Sequence, residues 1–282
     1  MCLSWGRKSC TGGQAAGVAR CRRGPLSAVP PAASRERPAF TLVELLIVVA
    51  IVLLLLGMLL PGLGQARQKT RSTMCLSNLR QMALASHSYV NTHQGYFPIA
   101  YYTESKPKVM TSSAWDFTTI RDWNTGATRV VPGLLWDGST DPEIHQCPSF
   151  EGGHNWLADP FTGYNYNTSY IGHGQCETIP APVRLIAVGC PNACALFGDG
   201  QYSAGANKFM RAPWRNPGDA QFSGRFSGTQ GYRHLGQTNV AFCDGHAETR
   251  RQRYTETYPA DQPSIAPGTG FLSSDNSLYD LE

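Results

Sequence analysis

The chain has 282 residues, 41% hydrophobic and 16% charged, with 29 Gly, 19 Pro and a formal charge of +4. Residues 1–39 hold seven Lys/Arg and one Glu; without them 17 basic face 19 acidic residues, a net of −2. The basic balance is therefore a property of the front of the chain and gives no support for nucleic-acid binding.

Those first 39 residues read as a basic leader. Arg20, Arg22, Arg23, Arg35 and Arg37 suit a cytoplasmic segment, although Arg67, Lys69, Arg71 and Arg80 beyond the apolar run weaken orientation by charge alone.

Residues 40–60, FTLVELLIVVAIVLLLLGMLL, are apolar apart from Thr41 and Glu44. At about 1.5 Å per residue this helix is roughly 32 Å long, enough to cross a hydrocarbon core of about 30 Å. A carboxylate in such a segment costs about 2.5–3.5 kcal/mol at a helix centre and less near an end, so Glu44 needs either a partner or hydration at the interface.

Residues 61–93 continue as an amphipathic helix. Cys75, Leu79, Met82, Ser86 and Tyr89 recur at spacings of three and four, with Ala83 and Val90 widening the stripe; Gly95 and Pro98 end it. That stripe needs a sheet to pack on.

Residues 94–254 are turn-rich and β-rich, with short apolar runs at Arg129–Val131, Leu185–Gly189 and Val240–Cys243 that suit antiparallel strands carrying long loops. Residues 199–230 read as a long surface loop and residues 255–282 as a mobile polar tail. The fold class expected is α+β, a long helix packed on an antiparallel sheet. There is no internal repeat.

Asp244-Gly245 lies between Asn239–Cys243 and His246–Arg250, a two-residue type I′ hairpin signal that would set Phe242 opposite Ala247 and Val240 opposite Thr249. Gly245 would supply positive φ, Asp244 would tie the turn, and His234 would bond it from the preceding loop. The competing assignment makes His234, Asp244 and His246 a metal or recognition site, beside Cys243. No spacing here is a recognised metal signature, so the turn is the expectation and no metal or cofactor is assigned.

His145, His154 and His173 are expected in loops, exposed or as bonding groups. Tyr164, Tyr166 and Tyr170 near Trp156 are expected in a sheet core, and Asn167-Thr168-Ser169 matches a glycosylation sequon of little weight. Removing the leader leaves six Cys (Cys75, Cys147, Cys176, Cys190, Cys194, Cys243), which permit disulfides in fifteen connectivities. No Gly-rich phosphate loop, nucleophile elbow or His-Glu-x-x-His spacing proposes a reaction.

Arg35-Glu36-Arg37-Pro38-Ala39 followed by Phe40-Thr41-Leu42-Val43-Glu44 resembles the signal of type IV prepilins and type II secretion pseudopilins. The resemblance implies cleavage between Ala39 and Phe40, N-methylation of Phe40, and an assembly role for Glu44 as the fifth mature residue. The family usually has Gly where this chain has Ala39, and Pro61-Gly62 lies where many pilin helices kink.

Met74–Ala85 with Tyr89 and Gly95-Tyr96-Phe97-Pro98 is similar to the post-membrane helix of a large prepilin-like family. His234, nine residues, then Asp244-Gly245 resembles its processing-associated motif, and Cys147-Pro148-Ser149 matches a recurring step.

The implied protein is a pilin-like filament subunit in a bacterial inner membrane, single-pass with its N-terminus cytoplasmic. Its partners would be a prepilin peptidase/methyltransferase and other pilin-like subunits. The alternatives are a membrane-displayed binding module that uses this route for export only, and a tethered metal-dependent enzyme.

Overall fold

The computed structural model describes residues 40–136, 142–153, 159–175, 177–179, 181–202, 205–216 and 229–282. The leader, with Ala39, lies outside the described residues, as do His154, Trp156 and Cys176.

One helix, α1, runs Leu42–Thr92 without interruption and contains Pro61. Residues from Phe40 to Arg71 are exposed, and burial begins at Ser72. The buried positions Ser72, Cys75, Leu79, Met82, Ala83, Ser86 and Val90 follow the expected stripe, except that Tyr89 is only half-buried. The helix ends where Gln94 and Gly95 take positive φ and the Gly95 amide returns to the Val90 carbonyl at 2.9 Å.

Four strands follow as an antiparallel meander: β1 Tyr101–Ser105, β2 Val109–Ala114, β3 Phe117–Asp122 and β4 Thr128–Pro132. The outer edge of β1 is occupied by one residue, Gln175. Its side-chain amide bonds both the N–H and the C=O of Thr103 at 2.6 and 3.2 Å, and its backbone N–H donates to the Tyr101 carbonyl at 2.9 Å.

The main sheet has the order β10-β9-β6-β5-β7. Its members in chain order are β5 Tyr164–Asn167, β6 Ala195–Asp199, β7 Phe209–Met210, β9 Thr238–Phe242 and β10 Ala247–Arg250. All pairings are antiparallel except β5 with β7. A further pair joins β8 Gln230–Gly231 to β11 Thr269–Gly270.

Strand alternation gives this sheet two buried faces. Ala241, Cys243, Tyr164 and Tyr166 pack in one cluster with the α1 stripe; Val240, Phe242, Ala195 and Met210 pack in another with Phe271, Leu272 and Tyr279. Residues 255–282 are therefore no mobile tail over this stretch: Phe271 and Tyr279 are wholly buried. Burying such side chains stabilises by about 1.5–3 kcal/mol each, more than enough to order a polar segment around them.

Three other expectations need correction. Leu185–Ala187 is a 3-10 turn, not a strand, with Ile186 87% exposed. The stretch read as a surface loop from 199 to 230 includes interior chain, because Lys208, Met210, Arg211 and Ala212 are buried and β7 pairs with β5. Lys208 reaches Asp116 at 2.6 Å and Asp159 at 2.7 Å, and Arg211 pairs with Glu177, so the charges go inside matched.

The β9–β10 register is one residue off the expected one, with Ala247 opposite Ala241 and Glu248 opposite Val240. The connection has three residues, since the Phe242 N–H bonds the His246 carbonyl and the Gly245 N–H bonds the Phe242 carbonyl. Of Asp244 and Gly245 only Gly245 has positive φ (93°), which fits a turn ending in a left-handed Gly and excludes type I′.

Of the two places left open for His145 and His173, both residues take the buried one. His145 sits among Trp115, Phe117 and Trp136, and its Nε2 accepts from the Trp136 indole. Burial lowers its pKa to about 4, with Asp116 opposing and Lys208 assisting. The native state stays neutral while the unfolded chain takes up a proton near pH 6.5, so stability falls as pH drops from 6.5 towards 4. The loss expected at pH 5 relative to pH 7.5 is about 2 kcal/mol from this group. Chemical unfolding of the wild type and His145→Gln at the two pH values checks it; the gap should shrink in the variant.

Candidate functional site

At the start of α1, Thr41 and Glu44 form a reciprocal cap. The Thr41 N–H and hydroxyl donate to one Glu44 oxygen at 2.9 and 2.7 Å, and the Glu44 N–H donates to the Thr41 hydroxyl at 3.2 Å. This Thr-x-x-Glu capping box is readable from residue order, yet the sequence reading missed it. Glu44 thus has a role within its own chain as well as the assembly role expected of it. Phe40, the expected methylation site, is exposed immediately before the cap.

The long apolar face from Leu42 to Leu63 has no cover among the described residues. By length and composition α1 is a candidate membrane-crossing helix.

His234 belongs to a different constellation from the expected one. It closes a turn with Gln237 through two backbone hydrogen bonds, across Leu235 and Gly236, both at positive φ (56° and 76°). That turn delivers its Nε2 to Asp199 at the end of β6 (3.2 Å) and to Cys147 Sγ (3.6 Å). Cys75 of α1 completes the group, its thiol 2.8 Å from the other Asp199 oxygen. One donor atom from each of Cys75, Cys147, Asp199 and His234 lies within 4.8 Å of the other three, and all four residues are buried.

Arg233 lines the same cluster. Its Nε donates to Cys147 Sγ at 3.2 Å and its Nη2 to Asp199 at 3.0 Å, while further N–H groups take the carbonyls of Gly200 and Gly163. The Asn239 amide fixes Asp199 from the sheet at 2.7 Å.

Burial opposes every charge in this cluster, but the neighbours reverse its effect selectively. Burial and the neighbouring Cys147 and Asp199 push the Cys75 thiol well up. The thiol of Cys75, the Arg233 guanidinium and His234 bring Cys147 down despite its burial. Asp199 and Cys147 raise His234 to about 9 against desolvation, and Arg233 and His234 hold Asp199 below the usual carboxylate range. The directions favour charge on Cys147, Asp199 and His234 beside Arg233 and oppose it on Cys75.

Asp244 and His246 stand apart from His234. Asp244 accepts from the His246 N–H at 3.0 Å and lies 2.6 Å from its ring Nδ1, closing the turn locally on an exposed edge. The grouping of His234, Asp244 and His246 as one ligand set is therefore not formed. A Cβ at Gly245 would lie 3.4 Å from the His87 ring of α1, so the turn rests on the helix. Asn167 of the sequon is wholly buried and donates to the Ala195 and Tyr279 carbonyls, which removes it as a glycan acceptor in the folded chain.

Comparison with known families gives two matches. Residues 35–60 match the prokaryotic N-terminal methylation motif, and residues 64–158 match a family described as a protein of unknown function (DUF1559). No curated protein and no solved structure matches the chain.

Proposed function

Because the chain is prepilin-like, carrying the methylation motif ahead of the DUF1559 region, we propose that it is a structural subunit that packs through α1 into a pilus-like or secretion-type filament. A prepilin peptidase in the bacterial inner membrane would cut between Ala39 and Phe40, and the new Phe40 amine would be methylated. The helix would cross the membrane once, with the β-rich domain outside, and other pilin-like subunits would be its partners. No catalytic role is proposed.

The observation that carries this reading is the apolar face of α1, uncovered among the described residues, with a carboxylate at its start. Lipid alone would cover the apolar face, but packing against other apolar helices takes Glu44 out of water as well. A buried carboxylate needs a cation, and the freed amine of an adjacent copy supplies one.

Mass spectrometry of the mature N-terminus tests the reading, with a methylated Phe40 expected. Ala39→Asp puts a charge in the position that must enter the peptidase. Its expected product keeps the leader and migrates as the heavier form; normal maturation of that variant would move the cut elsewhere.

A further inference from the structure

We propose that Cys75, Cys147, Asp199 and His234 form a closed structural zinc site that ties α1 to the outer domain. Two sulfurs, one imidazole nitrogen and one carboxylate oxygen are a donor set suited to a tetrahedral zinc ion with no open position. With metal–ligand bonds of about 2.0–2.3 Å, neighbouring donors in a tetrahedron stand roughly 3.3–3.8 Å apart. The Cys147–His234 and His234–Asp199 separations are 3.6 and 3.2 Å. Cys75 lies 2.8 Å from the second Asp199 oxygen, and because the four donor atoms lie within 4.8 Å of one another, closing a tetrahedron takes shifts of about 1 Å.

Charge supports the same ion. Two thiolates and one carboxylate carry three negative charges; a divalent cation and Arg233 carry three positive ones. Arg233 is placed as an outer partner, donating to a ligand sulfur and to the ligand carboxylate, while the Asn239 amide orients Asp199.

The donors come from four separate segments: α1, the loop before β5, the end of β6 and the turn before β9. An ion held among them joins pieces of chain that no local structure joins. This site is distinct from the apolar face on which the filament reading rests.

The test uses the processed full-length chain purified in detergent without chelator. About one zinc per chain is expected by elemental analysis. After stripping, cobalt(II) should give thiolate charge-transfer and tetrahedral d–d bands, and zinc should displace it and raise the unfolding temperature. Cys147→Ser and His234→Gln should lose stoichiometric metal, whereas Cys190→Ser, at an exposed thiol, should keep it.

If the ligand variants do not fold, Arg233→Gln keeps all four donors and should bind zinc about 10–100-fold more weakly. Failure of the wild type to bind either metal stoichiometrically overturns the proposal. So does a Cys75–Cys147 disulfide in the native protein, or metal retained by both ligand variants.

Discussion

Glu44→Gln is expected to insert in the membrane, be processed, and yet fail to assemble. Gln can keep the capping box with Thr41, so the helix start stays intact while the charge is lost. Breaking one side of a buried ion pair costs about 3–5 kcal/mol, or more than two orders of magnitude in each subunit contact. Thr41→Ala is the complementary change. It removes the cap at about 0.5–2 kcal/mol but leaves the carboxylate, and filaments should persist, fewer or less stable. Sheared-filament yield beside membrane-fraction protein reads both. Normal filaments from Glu44→Gln with few from Thr41→Ala would assign Glu44 to helix capping and remove the intersubunit pair.

Lys208→Met is expected to be the most damaging single change in the β-rich domain. The ammonium lies between Asp116 and Asp159 with side chains no more than 7% exposed, and the Asp116 carboxylate also accepts from the Phe117 amide at 2.8 Å. Without the cation two carboxylates share a dry space. The cost is about 3–5 kcal/mol, which in a domain of this size lowers the melting temperature by about 6–20 °C. Adding Asp116→Asn and Asp159→Asn should recover much of the loss, because the penalty comes from unpaired charge rather than from missing volume. A drop below about 2 °C for Lys208→Met would show that these groups are solvated in practice.

How much of this was legible in the chain depends on distance along it. The α1 stripe came from period alone, because each buried position is three or four residues from the next. β9 was found from its apolar run, but its register with β10 was missed by one residue. The backbone spends three residues rather than two at Asp244-Gly245, a choice made by dihedral angles that the dipeptide does not specify. The capping box is written in four consecutive residues, Thr41 to Glu44, and is the shortest-range signal in the chain.

Phe271 and Tyr279 were hidden by their polar neighbours; two large side chains in a sparse segment make no periodic pattern. The Cys75–Asp199 contact spans 124 residues, and neither residue's neighbours hint at the other. Cys147 and His234 each stood out as part of a short motif. What joins them is the sheet, whose β6 and β9 bring Asp199 and the turn at His234 to the same end.

The occupied margin of the four-stranded meander has a consequence for copies crowded on one membrane. Along β1, Gln175 already holds the outward-facing groups of Tyr101 and Thr103, and β4 finishes in Pro132, which offers no donor. The main sheet ends in a two-residue strand on one side and a four-residue strand on the other, the latter bearing Glu248 and Arg250. Amyloid-like zipping needs a long vacant backbone ladder as its template, and these margins offer only short ones. High local density can then bring the molecules together without fusing their sheets.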